Sequence, residues 1–208
     1  MSSQDVGIDV TIDMSETLKA CESIREMLSS LFAEHDLSRY SYTRQVRIAH
    51  GEIAHSHPVL TLNTRVSDRA TLLSLYLHEQ MHWYVTWYSW VHKEDWAAIW
   101  AVLQARYPDV PVTFPLGART RDSSYLHLIV NWLEIDAASE FLGREKAVEL
   151  AAANFAYSGL YKLVIENWEA LSELYKKHAL LPIRLATVMT EHDLRIAARM
   201  NEAAIDRP

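Results

Sequence analysis

Apolar residues recur three or four positions apart along most of this chain, which is the spacing of one face of an α-helix. The first such segment is 15–31, where the recurring apolar residues are Leu18, Cys21, Ile24, Leu28 and Leu31. The same kind of pattern predicts further helices at 67–91, 93–107, 125–142, 144–156, 159–179 and 183–204. The pattern therefore indicates a mainly helical protein.

Capping residues and helix breakers support these boundaries. The residues that favour helix starts are Ser15, then Ser67 or Asp68, then Ser123 or Ser124. Gly143 is predicted to end the helix 125–142, and Pro182 separates the last two helices.

The stretch from Tyr40 to Thr64 has a different pattern. Its apolar residues are mostly of the β-favouring types, and Gly51 and Pro58 interrupt them. We therefore predict a small hairpin or meander, with Pro58 opening a strand over 59–64. Residues 1–13 are polar and are expected to be loosely ordered. The fold class is mainly α (α+β), in a single domain over 1–208 with a small N-terminal β-sheet or hairpin followed by a helical bundle.

Composition excludes several classes of protein. Hydrophobic residues make up 50% and charged residues 23%, as in ordinary globular domains, and a net charge of -7 disfavours a nucleic-acid partner. A single cysteine, Cys21, allows neither an intramolecular disulfide nor a cysteine-rich zinc site. We see neither a secretory signal pattern nor a membrane span, so the expected location is cytoplasmic.

The pentapeptide His78-Glu79-Gln80-Met81-His82 matches the H-E-x-x-H zinc motif. Residues four apart lie on one face of a helix, so His78 and His82 could direct two imidazole nitrogens at one metal ion. Glu79 is offset by about 100° around the helix, which places it beside the ion. There its carboxylate can take a proton from the attacking water.

The surroundings of the motif favour a metal site over incidental histidines. No charged residue except Glu79 falls between Arg69 and Lys93. An unpaired charge buried in so apolar a helix is costly, and a metal ion is the simplest partner for it. The alternatives are a surface helix with an unrelated histidine pair, or core histidines held by hydrogen bonds. His50, His55 and His57 form another cluster, which we interpret as a loop rather than a second metal site.

The helix 125–142 carries a polar stripe on an otherwise apolar surface. His127, Asn131 and Glu134 are four and three positions apart, so they share one face. His127 and Glu134 lie about 10 Å apart along the helix axis, at roughly 1.5 Å per residue. The two are therefore not expected to bind the same ion.

The chain resembles the zincin superfamily of metallopeptidases through HEQMH and this second helix, over about a third of its length. The metzincin pattern needs Gly and His where this chain has Val85 and Tyr88. The gluzincin pattern takes its third ligand from a Glu on a downstream helix, which implies Glu134. His127 is the main alternative ligand, and the remaining candidates are Asp136, Glu140, His178 and His192.

The resemblance also implies a mechanism. Zincins stabilise the oxyanion with a Tyr or His outside the motif, and the candidates here are His127, Tyr157 and Tyr161. The strand 59–64 would bind an extended substrate by main-chain pairing. One departure is Ala138, where gluzincins often carry an acidic residue that orients a ligand histidine.

Together these features predict a zincin-like zinc metallopeptidase of the gluzincin type. Zn²⁺ would be bound by His78, His82 and Glu134, with Glu79 and His127 in catalytic roles. The substrate would be a peptide or a disordered protein segment. The alternatives are a metallohydrolase acting on a non-peptide amide, and a non-catalytic helical regulatory or interaction protein on the same scaffold.

Overall fold

The computed structural model describes residues 9–12, 18–180, 190–193 and 195. Within these residues the protein is mainly α-helical with a small β-sheet, as the sequence predicts. The chain divides into two compact units, with the boundary between Tyr84 and Val85. The single domain over 1–208 stays a prediction. No helix in the described part of the chain combines the length and apolar character needed to cross a membrane.

The first unit begins with a parallel sheet. Strands β1 (Asp9–Ile12), β2 (Gln45–Ala49) and β3 (Leu60–Asn63) lie in the order β1-β2-β3. Both pairs are parallel, with Val46 opposite Val10 on one side and Leu60 on the other. The predicted hairpin is therefore wrong. The chain between β2 and β3 makes a separate reversal, in which His55 forms an antiparallel bridge to Thr61, and this lets β3 run parallel to β2.

The strand β1 also contradicts the expectation of a loosely ordered N-terminus over 1–13. The tetrapeptide Asp9–Ile12 contains three β-branched residues, which favour a strand, but so short a segment is not stable as a strand without a partner. Its order comes from main-chain pairing with β2, which lies far along the chain and leaves no trace in the local pattern.

Helix α1 (Leu18–Glu34) buries Cys21, Ile24, Leu28 and Leu31, four of the five residues that predicted it. Helix α2 (Arg69–Val91) carries the HEQMH motif. Its start is capped by Asp68, whose side chain accepts a hydrogen bond from the Thr71 N–H at 2.9 Å. The predicted cap at Ser15 and most of the predicted helix 183–204, with Pro182 before it, lie outside the described residues.

The regular secondary structure of the second unit is all helical in its described part. Helix α3 (Lys93–Arg106) is followed by α4 (Arg121–Leu142) and α5 (Arg144–Ala153). Helix α4 begins earlier than predicted, because Thr120 is its N-cap and accepts from the Ser123 N–H at 3.1 Å. It ends at Gly143, as predicted, where φ is 79°.

The predicted helix 159–179 is two helices, α6 (Ser158–Glu166) and α7 (Trp168–Lys177). The break is at Asn167, whose side-chain amide donates to the Leu163 carbonyl at 2.9 Å and competes with the helical main-chain bonds. Helix α7 begins at Trp168, whose ring stacks on that of Trp132 of α4 with centroids 4.3 Å apart. Packing against α4 thus favours the break.

Candidate metal centre

Helix α2 places the two histidines of the motif side by side. The Nε2 atoms of His78 and His82 are 3.3 Å apart. Two nitrogens bound to one tetrahedral zinc ion at 2.0–2.1 Å would be separated by about 3.3–3.4 Å. The two nitrogens are within hydrogen-bonding distance of each other, and their separation also matches that of two nitrogens on one zinc ion, as the four-residue interval predicts.

The motif is embedded in the protein interior. His78 and Glu79 are 7% and 5% exposed, and His82 is half-buried. A carboxylate as buried as that of Glu79 is expensive to keep ionised without a compensating positive charge or hydrogen bonds. This environment suits a proton acceptor close to a cation.

Gln80, a variable position of the motif, is a structural anchor that sequence reasoning missed. Its Oε1 accepts from the N–H groups of Tyr42 and Thr43 at 2.8 and 3.0 Å. Its Nε2 donates to the Thr43 carbonyl and to the Tyr76 hydroxyl, both at 2.9 Å. Burial raises the pKa of Tyr76, so its hydroxyl stays neutral. The only sign of this role in the sequence is that Gln80 is an uncharged amide within a long apolar stretch.

Trp83 anchors the other flank of the motif. Its indole N–H donates to the Ser56 carbonyl at 2.7 Å, and its ring stacks on His57 with centroids 4.4 Å apart. His50 and His55 bond to Thr64 and to the Ile53 carbonyl. Within the described residues, these three loop histidines are not part of the histidine group that could hold a metal ion.

In the second unit, helix α4 presents His127 in an orientation typical of a metal ligand. The residue is 6% exposed, and its Nδ1 lies 2.7 Å from the Ser123 carbonyl. A carbonyl can only accept, so Nδ1 carries the proton and the lone pair of the neutral ring is on Nε2. A main-chain acceptor on one nitrogen commonly orients the other towards a metal. The ring also lies against Tyr157, with centroids 4.1 Å apart.

Glu134, the ligand implied by the resemblance, is 2% exposed and accepts a hydrogen bond from the Tyr161 hydroxyl at 2.5 Å. The Asn154 amide donates in turn to the Tyr161 oxygen at 3.4 Å. Tyr161 is therefore engaged with Glu134. Tyr157, the other tyrosine candidate, has φ 61°, a left-handed conformation that is unusual for a large side chain.

On α4, Asn131 lies between His127 and Glu134. It is completely buried, and neither atom of its amide has a hydrogen-bond partner among the described residues. The remaining candidates differ in their surroundings. His178 pairs with Asp95 through its Nδ1 at 2.9 Å. Asp136 is half-buried, and Glu140 and His192 are exposed.

The edge of β3, the predicted substrate-binding strand, is partly in use. Thr61 exchanges two main-chain hydrogen bonds with His55, at 2.7 and 3.1 Å. A peptide that pairs with this edge would have to do so beyond Thr61, at Asn63, or displace the bridge.

No protein-family model matches the chain, and no curated protein or solved structure matches it either. The resemblance to zincins therefore rests on the residues named above.

Proposed function

We propose that this protein binds a divalent metal ion, with zinc as the first candidate, and hydrolyses amide bonds in peptides. The observation that carries the proposal is the 3.3 Å separation of the His78 and His82 Nε2 atoms, one residue from the buried Glu79. Two imidazoles and a carboxylate in this arrangement match a hydrolytic zinc site.

His127 is our preferred third ligand. The Ser123 carbonyl holds the ring proton of His127 on Nδ1, which puts the lone pair of the neutral ring on Nε2, the atom that would bind an ion. The Glu134 carboxylate instead accepts a hydrogen bond from the Tyr161 hydroxyl. The assignment of Glu134 as the third ligand stays a prediction, and direct measurement of metal content decides between the two residues.

In the proposed reaction, water adds to the carbonyl carbon of the substrate amide, and the carbon–nitrogen bond breaks. The bound ion would supply Lewis acidity, lowering the pKa of the water and polarising the carbonyl. Glu79 takes the proton from the water and passes it to the leaving nitrogen, so that a carboxylic acid and an amine are released. Ser123 holds the His127 ring in its ligating tautomer.

The test begins with elemental mass spectrometry of the purified full chain. We expect one zinc ion per chain in the wild type, loss of zinc in His127→Ala, and retention of zinc in Glu134→Ala. Loss of zinc in Glu134→Ala but not in His127→Ala would identify Glu134 as the third ligand. Absence of zinc from the wild type, even after incubation with excess Zn²⁺, would contradict the proposal and favour a helical interaction protein.

The second part of the test measures cleavage of a mixed peptide library by mass spectrometry. Glu79→Gln should retain zinc and lose turnover by about 100-fold or more, the usual contribution of general acid–base catalysis. Glu94→Gln makes the same change at an exposed position of α3 and should cleave as the wild type does. Activity that survives Glu79→Gln would rule out the proposed mechanism.

A further inference from the structure

Helix α4 carries a pair of residues with the same spacing as the histidines of α2. Asn131 follows His127 by four positions, as His82 follows His78. At about 100° per residue, Asn131 lies roughly 40° around the helix from His127 and one turn further along. A ligand bound by His127 is therefore within reach of a side chain at position 131.

The state of the Asn131 side chain points to a role in binding. Its amide is completely buried, and both Oδ1 and Nδ2 have no hydrogen-bond partner among the described residues. Burying polar atoms without partners destabilises a fold, and native proteins rarely do so without a reason. The other buried amide described above, that of Gln80, has four partners. Asn131 thus lacks the structural role that Gln80 has.

We propose that the Asn131 side-chain oxygen is a fourth protein ligand of the metal ion, beside His127. This inference rests on the proposed function, because it takes His127 as a ligand. An amide oxygen is a neutral, hard donor, and three imidazole nitrogens with one such oxygen suit zinc and also Mn²⁺ or Fe²⁺. Zinc can expand to five-coordination, so a position for water remains.

The experiment compares three variants of the full chain by three readouts that need no turnover. Asn131→Leu replaces both polar atoms by methyl groups on a side chain of the same branched shape, and Asn131→Asp keeps an oxygen ligand. Ser124→Ala is the matched control on the same helix, because the buried Ser124 hydroxyl bonds to the Pro111 carbonyl and the Ala118 N–H. The readouts are the melting temperature of the metal-free protein, the affinity for Zn²⁺ alone by competition with a chelator, and the absorption spectrum of the Co²⁺-loaded protein.

We expect the two substitutions to have opposite effects. Asn131→Leu should raise the melting temperature of the metal-free protein by about 2 °C or more and weaken zinc binding about tenfold or more. Asn131→Asp should restore zinc affinity to at least the wild-type level. Ser124→Ala should lower the melting temperature and leave zinc affinity unchanged. The absorption spectrum of the Co²⁺-loaded protein should change only in the Asn131 variants.

Two outcomes would overturn the inference alone. Zinc affinity of Asn131→Leu within twofold of the wild type would show that the amide is not a ligand. A fall in the melting temperature of metal-free Asn131→Leu would show that the amide supports the fold. Failure of the wild type to bind any Zn²⁺ would instead overturn the proposed function, and this inference with it.

Discussion

Replacement of Gln80 by Met tests whether this residue anchors the motif helix. The two side chains have similar size and flexibility, so the change removes the amide while leaving little or no cavity. It deletes the bonds to the Tyr42 and Thr43 N–H groups, to the Thr43 carbonyl and to the Tyr76 hydroxyl. Four polar groups around a completely buried position would then lose a partner.

The expected cost follows from these four bonds. Each contributes about 1 kcal/mol net, and a buried group that is left without a partner can cost about 1–3 kcal/mol. Because the four bonds share one side chain and the surroundings relax, their costs do not simply add. We expect the free energy of unfolding to fall by about 3–5 kcal/mol. At roughly 2–4 °C per kcal/mol for a chain of this size, the melting temperature falls by about 10 °C.

Urea unfolding of the metal-free protein, followed by circular dichroism, measures this change. The control is Gln104→Met, which makes the same substitution at an exposed position of α3 and should change the free energy of unfolding by less than about 0.5 kcal/mol. A loss below about 1 kcal/mol in Gln80→Met, with an unchanged dependence on urea concentration, would refute the view that Gln80 anchors the helix.

Three further predictions concern a helix cap, a buried hydrogen bond and a surface pair. Thr120→Ala should lower the free energy of unfolding by about 1 kcal/mol in urea titrations, because α4 loses its N-cap, whereas Thr120→Ser should not. Tyr161→Phe removes the donor to the buried Glu134 and should cost about 1–3 kcal/mol by the same assay, with no loss of zinc if Glu134 is not a ligand. The hydrogen bond from Arg69 lowers the pKa of Glu34, so its stabilising effect is present at neutral pH and lost as pH falls through that lowered value. NMR titration should find the Glu34 pKa raised in Arg69→Met, and an unchanged pKa would disprove the pairing in solution.

The helices could be predicted from the sequence because their signals are local. Apolar spacing located α1 and α2, and Gly143 located the end of α4. The split between α6 and α7 was missed, because it depends on the contact of Trp168 with another helix. The parallel sheet was missed for the same reason, since the hydrophobic pattern of a strand does not identify its partner or direction.

The candidate site also has some features that the local sequence could predict and others that depend on the fold. The spacing of His78 and His82 is a property of one helix, so the sequence could predict it. The choice between His127 and Glu134 depends on how the chain folds, and both residues lie on the same face of α4. The partners Tyr42 and Thr43 of Gln80 are 38 and 37 positions earlier in the chain and leave no pattern that the local sequence could reveal.

The strand order β1-β2-β3 has a consequence for how the protein is made. Because spatial order follows chain order, each strand can join an existing edge as it leaves the ribosome. Strand β1 must wait for β2, whose paired residue Gln45 is roughly 36 residues after Asp9. At about 5–20 residues per second, that delay is roughly 2–7 s. During synthesis, the main chain of β1 therefore has no partner strand in β2 for that time.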